Sequence, residues 1–171
     1  LLIVLPGGDG SAAFETFVRR IRKYALDDQW IVAQPLAVFW NTTTPKDQQI
    51  VWPKKSDNVA DALFTTEEFV NRVIGDVQSK VTVDSKNVVT LSWSSSGHAA
   101  YAIAMQPDSP VTGSYIAMSI FRAKEYDTTH VNGRRLVIDH SPDDQVCPYD
   151  HSVTAEKTLT TAGAEIKRLT Y

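Results

Sequence analysis

Leu91-Ser92-Trp93-Ser94-Ser95-Ser96-Gly97-His98-Ala99 sets one serine, Ser94, between small residues at a point where a strand passes into a helix. Before it, the turn Asp84-Ser85-Lys86-Asn87 opens onto the β-branched run Val88-Val89-Thr90-Leu91. After it, small residues from Gly97 to Ala104 make a helix able to lie close to a sheet. A serine held on so sharp a turn has the setting of a nucleophile elbow. In the G-x-S-x-G form, glycines flank the serine because the turn strains its backbone and presses its neighbours against adjoining strands. Ser92 and Ser96 stand in those glycine places here, serine being the next-smallest polar choice. A serine-rich loop is the competing reading, and the stretch alone leaves both open.

Upstream, Leu1-Leu2-Ile3-Val4-Leu5 is a continuous apolar run, as expected of a strand covered on both faces, and it stops at Pro6-Gly7-Gly8-Asp9-Gly10-Ser11. Three glycines let backbone N–H groups approach a ligand without hindrance. An oxyanion hole needs such donors; the amides of Gly8 and of Ser95, the residue after the nucleophile, would supply them, each worth about 3 kcal/mol of transition-state stabilisation. Gly8, Gly10 and Ala13 also fit G-x-G-x-x-A, a dinucleotide turn, but that fingerprint wants an acid at the end of the next strand, and the chain there reads Ala33-Gln34-Pro35. Downstream, Asp139-His140-Ser141-Pro142-Asp143-Asp144-Gln145-Val146-Cys147-Pro148 puts acids on the loop leaving a later strand, where a triad acid belongs in Ser, acid, His chain order. Asp144 and Asp143 are rivals for that role, and both also read as ordinary loop or helix-cap acids.

The remaining pattern alternates strand and helix. Phe14, Phe17, Val18 and Ile21 recur at helical spacing, and Trp30 to Gln34 reads as the next strand. From Pro35 to Phe64 periodicity fails, which predicts a lid, a binding wall or a mobile loop. Thr65-Thr66-Glu67-Glu68 fits a capping box that opens a helix with Phe69, Val70, Val73, Ile74 and Val77 as its buried stripe. Ser114 to Met118, Leu136 to Asp139 and Ile166 to Tyr171 predict later strands, with a helix between Tyr149 and Ala162. The fold class is α/β: a doubly wound, mostly parallel sheet flanked by helices, in one domain spanning residues 1–171.

Taken together, the three loops resemble the α/β-hydrolase family, closest to its small carboxylesterase, dienelactone hydrolase and polyhydroxybutyrate-depolymerase-like branch, over most of the chain. In that branch the first loop reads His-Gly-x-Gly, the elbow Gly-x-Ser-x-Gly-Gly and the acid loop His-Gly-x-x-Asp-x-Val-Val-Pro. This chain has Pro6-Gly7-Gly8-Asp9-Gly10, Ser92-Trp93-Ser94-Ser95-Ser96-Gly97 and His140-Ser141-Pro142-Asp143-Asp144-Gln145-Val146-Cys147-Pro148. The resemblance implies Ser94 as nucleophile, Asp144 as acid, Gly8 and Ser95 as oxyanion donors, and the strands in view as the family's third to eighth. It implies a serine esterase acting on a small-molecule carboxylic ester through an acyl-enzyme. The family's histidine follows the last strand, so it is expected beyond Tyr171, with the 171-residue form inactive and its last strand, through Ile166 and Leu169, open to self-association. A non-catalytic ligand- or partner-binding domain of the same fold is the alternative.

The four histidines have structural explanations: His98 lies one turn along the helix from Ser94, His130 sits in a polar stretch, His140 ends a strand and His151 lies in the next helix. Cys147 reads as a buried thiol. Trp40, Trp52 and Trp93 are candidates to wall a substrate pocket, Trp40 and Trp52 the better placed of them because they lie in the irregular loop. No cluster has metal-ligand spacing, so neither metal nor cofactor is expected. The 17 Lys and Arg against 20 Asp and Glu give a net charge of -3, which argues against nucleic acid, and no apolar run reaches the ~20 residues of a membrane span.

Overall fold

The computed structural model describes residues 1–40, 45 and 49–171. Its strands are β1 (Leu2–Leu5), β2 (Val32–Ala33), β3 (Val89–Trp93), β4 (Gly113–Ala117), β5 (Arg135–His140) and β6 (Glu165–Thr170). The helices are α1 (Glu15–Tyr24), α2 (Thr66–Lys80), α3 (Gly97–Ala104) and α4 (Asp150–Thr161). All strands pair in parallel in the order β2-β1-β3-β4-β5-β6.

The apolar run of β1 is buried along its whole length because both faces are covered. Ile3 and Leu5 join the main core with Val70 and Ile74 of α2, Ala99, Ala100 and Ile103 of α3, and Ala155 and Leu159 of α4. Leu2 and Val4 turn to the other face, against Val18 of α1. Each such valine, leucine or isoleucine contributes about 1.5–3 kcal/mol by leaving water, and each alanine less. β5 alternates instead, with Leu136, Ile138 and His140 buried and the intervening residues less so. The capping box forms as expected: Glu68 N–H donates to Thr65 Oγ1 at 3.3 Å and Thr65 N–H to Glu68 Oε2 at 2.9 Å.

Two differences from the sequence reading have local causes. The strand expected over Trp30 to Gln34 is paired only at Val32 and Ala33, at the edge of the sheet, where β1 is its one neighbour. In the irregular stretch, residues 41–44 and 46–48 lie outside the described residues, so the lid or wall expected there is described only in part; Lys55–Asp57 forms one helical turn. No described helix is long and apolar enough to cross a membrane, and no described cluster of His, Cys, Asp and Glu is arranged to hold a metal.

The strand order fixes where a ligand can reach the chain. From β1 the chain moves outward to β2 and then returns to the opposite side of β1 as β3. The loops leaving β1 and β3 therefore part to opposite faces of the sheet. A crevice opens at their carboxyl ends, where open α/β sheets bind ligands.

Candidate active site

Ser94 directly follows β3, at the carboxyl end of the strand. Its φ is 53°, one of four positive values among the described non-glycine residues. A serine in the left-handed region is strained and persists only where the surroundings over-determine it. Those surroundings are visible. Ser119, just past β4, donates its hydroxyl to Ser94 O at 2.8 Å. Gly97, opening α3, is packed so tightly that a Cβ there would lie 2.1 Å from Ser119 Oγ.

The two serines in glycine positions are both fully buried. Ser96 Oγ donates to Leu5 O at 2.7 Å and accepts from Trp93 N–H at 2.9 Å, so its hydroxyl ties the end of β1 to the end of β3. Ser92 Oγ donates to Tyr115 O at 3.3 Å on β4. The hydroxyls thus satisfy backbone groups that glycines would leave to other partners.

The register pairs Leu5 with Ser92, which places the first glycine loop beside the elbow. A Cβ on Gly7 would lie 2.6 Å from Trp93 O, so the close approach requires glycine. Gly8 follows at φ 59°, in a turn closed by Gly10 N–H donating to Gly7 O at 3.0 Å. Ser95 Oγ donates to Gly8 O at 2.7 Å, joining the two residues expected to hold an oxyanion. The Ser95 N–H lies in the first turn of a helix, where amides have no intrahelical acceptor.

At the far side, Asp144 is held by its own loop. Oδ1 accepts from Val146 N–H at 2.8 Å and Cys147 N–H at 2.9 Å, while Oδ2 lies 3.4 Å from His140 Nε2. The backbone N–H of Cys147, followed by that of Val146 and by His140, holds the Asp144 carboxyl below its usual range, against the opposing effect of burial. Its side chain is 11% exposed. Asp143 is exposed, and its N–H donates to Ser141 Oγ in a local turn.

Cys147 is a free, buried thiol on the acid loop, and its backbone N–H donates to Asp144 Oδ1. Burial, with Asp144 adding to it, pushes the thiol up, so it stays protonated and is a poor rival nucleophile. None of the histidines is bonded to Ser94. His98 Nε2–H donates to Trp52 O at 2.8 Å, and burial pushes the imidazole down, so it is neutral. His140 is fully buried; Nε2–H donates to Cys147 O at 2.7 Å and Nδ1 has no partner. His151 Nδ1–H donates to Phe121 O at 2.9 Å, and His130 is exposed.

The tryptophans are not arranged as one wall. Trp52 is 1% exposed, and its Nε1–H donates to Pro6 O at 2.9 Å, so the ring is core and braces the first loop rather than facing a ligand. Trp93 packs edge-on against Phe17 and Phe14 at 5.4 and 6.2 Å. Trp40 packs on Phe64 at 4.5 Å. Sequence reasoning missed Ser119, whose role depends on strand pairing, and an ionic group of the buried Lys54 with the more exposed Asp57 and Glu125 that lies beside Ser95.

No family model matches the chain, and no curated protein matches it. Solved structures do. A Bacillus cereus carboxylesterase superposes with a TM-score of 0.71 at 15% identity, covering 99% of this chain and 77% of the other. Esterase PE8 gives 0.67 at 18% identity, covering 99% and 81%. SOBER1 of Arabidopsis thaliana gives 0.66 at 15% identity, covering 99% and 86%. The chain has the α/β-hydrolase fold shared by these structures.

Proposed function

We propose that the protein is a serine hydrolase that cleaves a carboxylic ester through an acyl-enzyme. The observation that carries this is the positive φ of Ser94 at the turn from β3 to α3. A non-glycine residue kept in that conformation by Ser119 and Gly97 presents its hydroxyl at the switch point of the sheet. Esterases among the structural neighbours agree with it.

Ser94 Oγ attacks the ester carbonyl, and the amides of Gly8 and Ser95 stabilise the negative charge of the tetrahedral intermediate. A histidine takes the Ser94 proton and returns it to the leaving alcohol, with Asp144 holding it in the required tautomer. The four histidines of this chain have other partners or are exposed, so we assign the base to a residue beyond Tyr171. The geometry agrees: Ser141 Oγ donates to Tyr171 O at 3.1 Å, so the chain leaves β6 at the rim of the acid loop.

The test is labelling by a fluorophosphonate, in a form of the protein that carries the segment after Tyr171. The probe is expected on Ser94 and is lost in Ser94→Ala. Labelling that maps to Cys147, or that survives Ser94→Ala, overturns the assignment. The 171-residue form should hydrolyse a short-chain nitrophenyl ester far more slowly than the extended one. Equal rates, both abolished by Ser94→Ala, would instead place the base among His98, His130, His140 and His151.

A further inference from the structure

Next to Ser95, on the α3 side of the elbow, is a cavity of about 310 Å³. Its wall includes Ser95, His98, Lys54, Asp57, Arg122 and Glu125, with Ile50, Val51 and Ile120 as the apolar part. Such charge is unusual beside a site meant for an aliphatic chain. Lys54 is 4% exposed, and its ammonium lies 2.5 Å from Asp57 Oδ1 and 3.3 Å from Glu125 Oε2. Arg122 Nη1 lies 3.3 Å from Glu125 Oε1, so Glu125 bridges the two cations.

Three ligand classes can be weighed against this wall. An alkyl chain would strip water from carboxylates and cations and return no hydrogen bonds, a desolvation loss of the kind buried polar groups do not tolerate. An anion meets no net attraction, because two cations and two carboxylates cancel and His98 is neutral. A neutral ligand with several hydroxyls fits: each hydroxyl both donates and accepts, so it can donate to Asp57 or Glu125 and accept from Lys54 or Arg122. An ammonium has three donors and two carboxylates flank this one, which leaves room for a ligand oxygen as the third partner. The apolar residues suit the C–H face of a ring. The volume is at the small end for ligand cavities, nearer one ring than a long chain.

We propose that this cavity is a subsite for a neutral, hydroxyl-rich moiety about the size of one sugar ring, the polar part of the substrate whose ester bond Ser94 attacks. It rests on the hydrolase reading of Ser94 for its purpose, but not for its detection, because binding needs no turnover. The probe is methyl α-glucopyranoside, followed by saturation-transfer NMR on the parent protein, with inorganic phosphate and 1-hexanol as competitors of the other two classes. The glucoside is expected to bind and to be displaced by neither competitor.

Two variants locate the site. Arg122→Ala removes a side chain that is 63% exposed and leaves the Lys54 pairs intact, so it should keep the fold. Glu125→Gln keeps the shape and removes the charge that bridges both cations. Each is expected to weaken glucoside binding by about tenfold, the loss of one charge-assisted hydrogen bond. Absence of glucoside binding, displacement by phosphate or hexanol, or binding in Arg122→Ala equal to the parent overturns the proposal. Failure of fluorophosphonate labelling at Ser94, with glucoside binding intact, would remove the esterase reading and leave the subsite standing.

Discussion

The elbow and the acid loop lie at the same rim of the sheet and are built in opposite ways. At the elbow, Ser94 is strained, and its position is set from outside by Leu5, Ser119 and the close packing of Gly97. At the acid loop, Asp144 is relaxed and held by neighbours two and three residues along the chain. Ser94 is thus fixed by tertiary structure, whereas Asp144 is fixed by its own turn and keeps Oδ2 turned toward His140. Damage at a distance should move Ser94 and leave Asp144 in place.

Ser94→Gly probes the strained side most directly. It should abolish hydrolysis in the extended form, by up to about 10⁶-fold if the triad acts as a unit. Because glycine accepts positive φ without cost, the same variant should be as stable as the parent or about 1 kcal/mol more stable in urea denaturation. A destabilised Ser94→Gly would show that the turn is not strained.

On the relaxed side, Asp144→Asn should lower kcat by about 10⁴-fold, since the histidine loses its orienting carboxylate. Asp143→Asn, at an exposed position, should change it little. The reverse ranking in a steady-state ester assay would move the acid.

Gly97→Ala tests how far the elbow depends on close packing. A Cβ there would also lie 2.3 Å from Ser119 Cβ, which is anchored to the backbone, so the strand end or the helix must shift. A loss of about 3 kcal/mol in chemical denaturation is expected, along with a drop in fluorophosphonate labelling. Ser96→Ala removes a buried hydroxyl bonded to both strand ends and should cost about 1–2 kcal/mol.

The smallest effect belongs to the acid loop and is one of pH. The Asp144 carboxyl is held below its ordinary value, chiefly by the Cys147 amide, so it stabilises the fold above the unfolded pKa of about 3.9. That stabilisation is lost as pH falls through the lower folded value. The stability difference between parent and Asp144→Asn should therefore be present at pH 5–7 and shrink below about pH 4 in a denaturation series. A difference independent of pH would mean that the loop holds the side chain by shape alone.

Much of this was legible from local pattern. The run Leu1 to Leu5 announced a strand covered on both faces, and Thr65 with Glu68 announced a helix start, because those features depend on residues within a few positions of one another. The helix after Ser94 appeared over Gly97–Ala104, as the small residues required. The three tryptophans show where such reasoning stops. Trp52 stood in an aperiodic loop, yet its ring lies in the core, because a residue 46 positions away, Pro6, offers its carbonyl to the indole.

Local pattern alone announced the order and kind of the elements, the serine between small neighbours, and Asp144 ahead of Val146 and Pro148, since period and turn chemistry are properties of neighbouring residues. It took the assembled sheet to bring β1 and β3 side by side, to hold the elbow by Ser96 and Ser119, and to pair the buried Lys54 with Glu125, 71 positions away, beside Ser95. Those facts depend on which strands pair and in what register, and that is settled by burying apolar surface across the whole chain rather than by any short stretch of it.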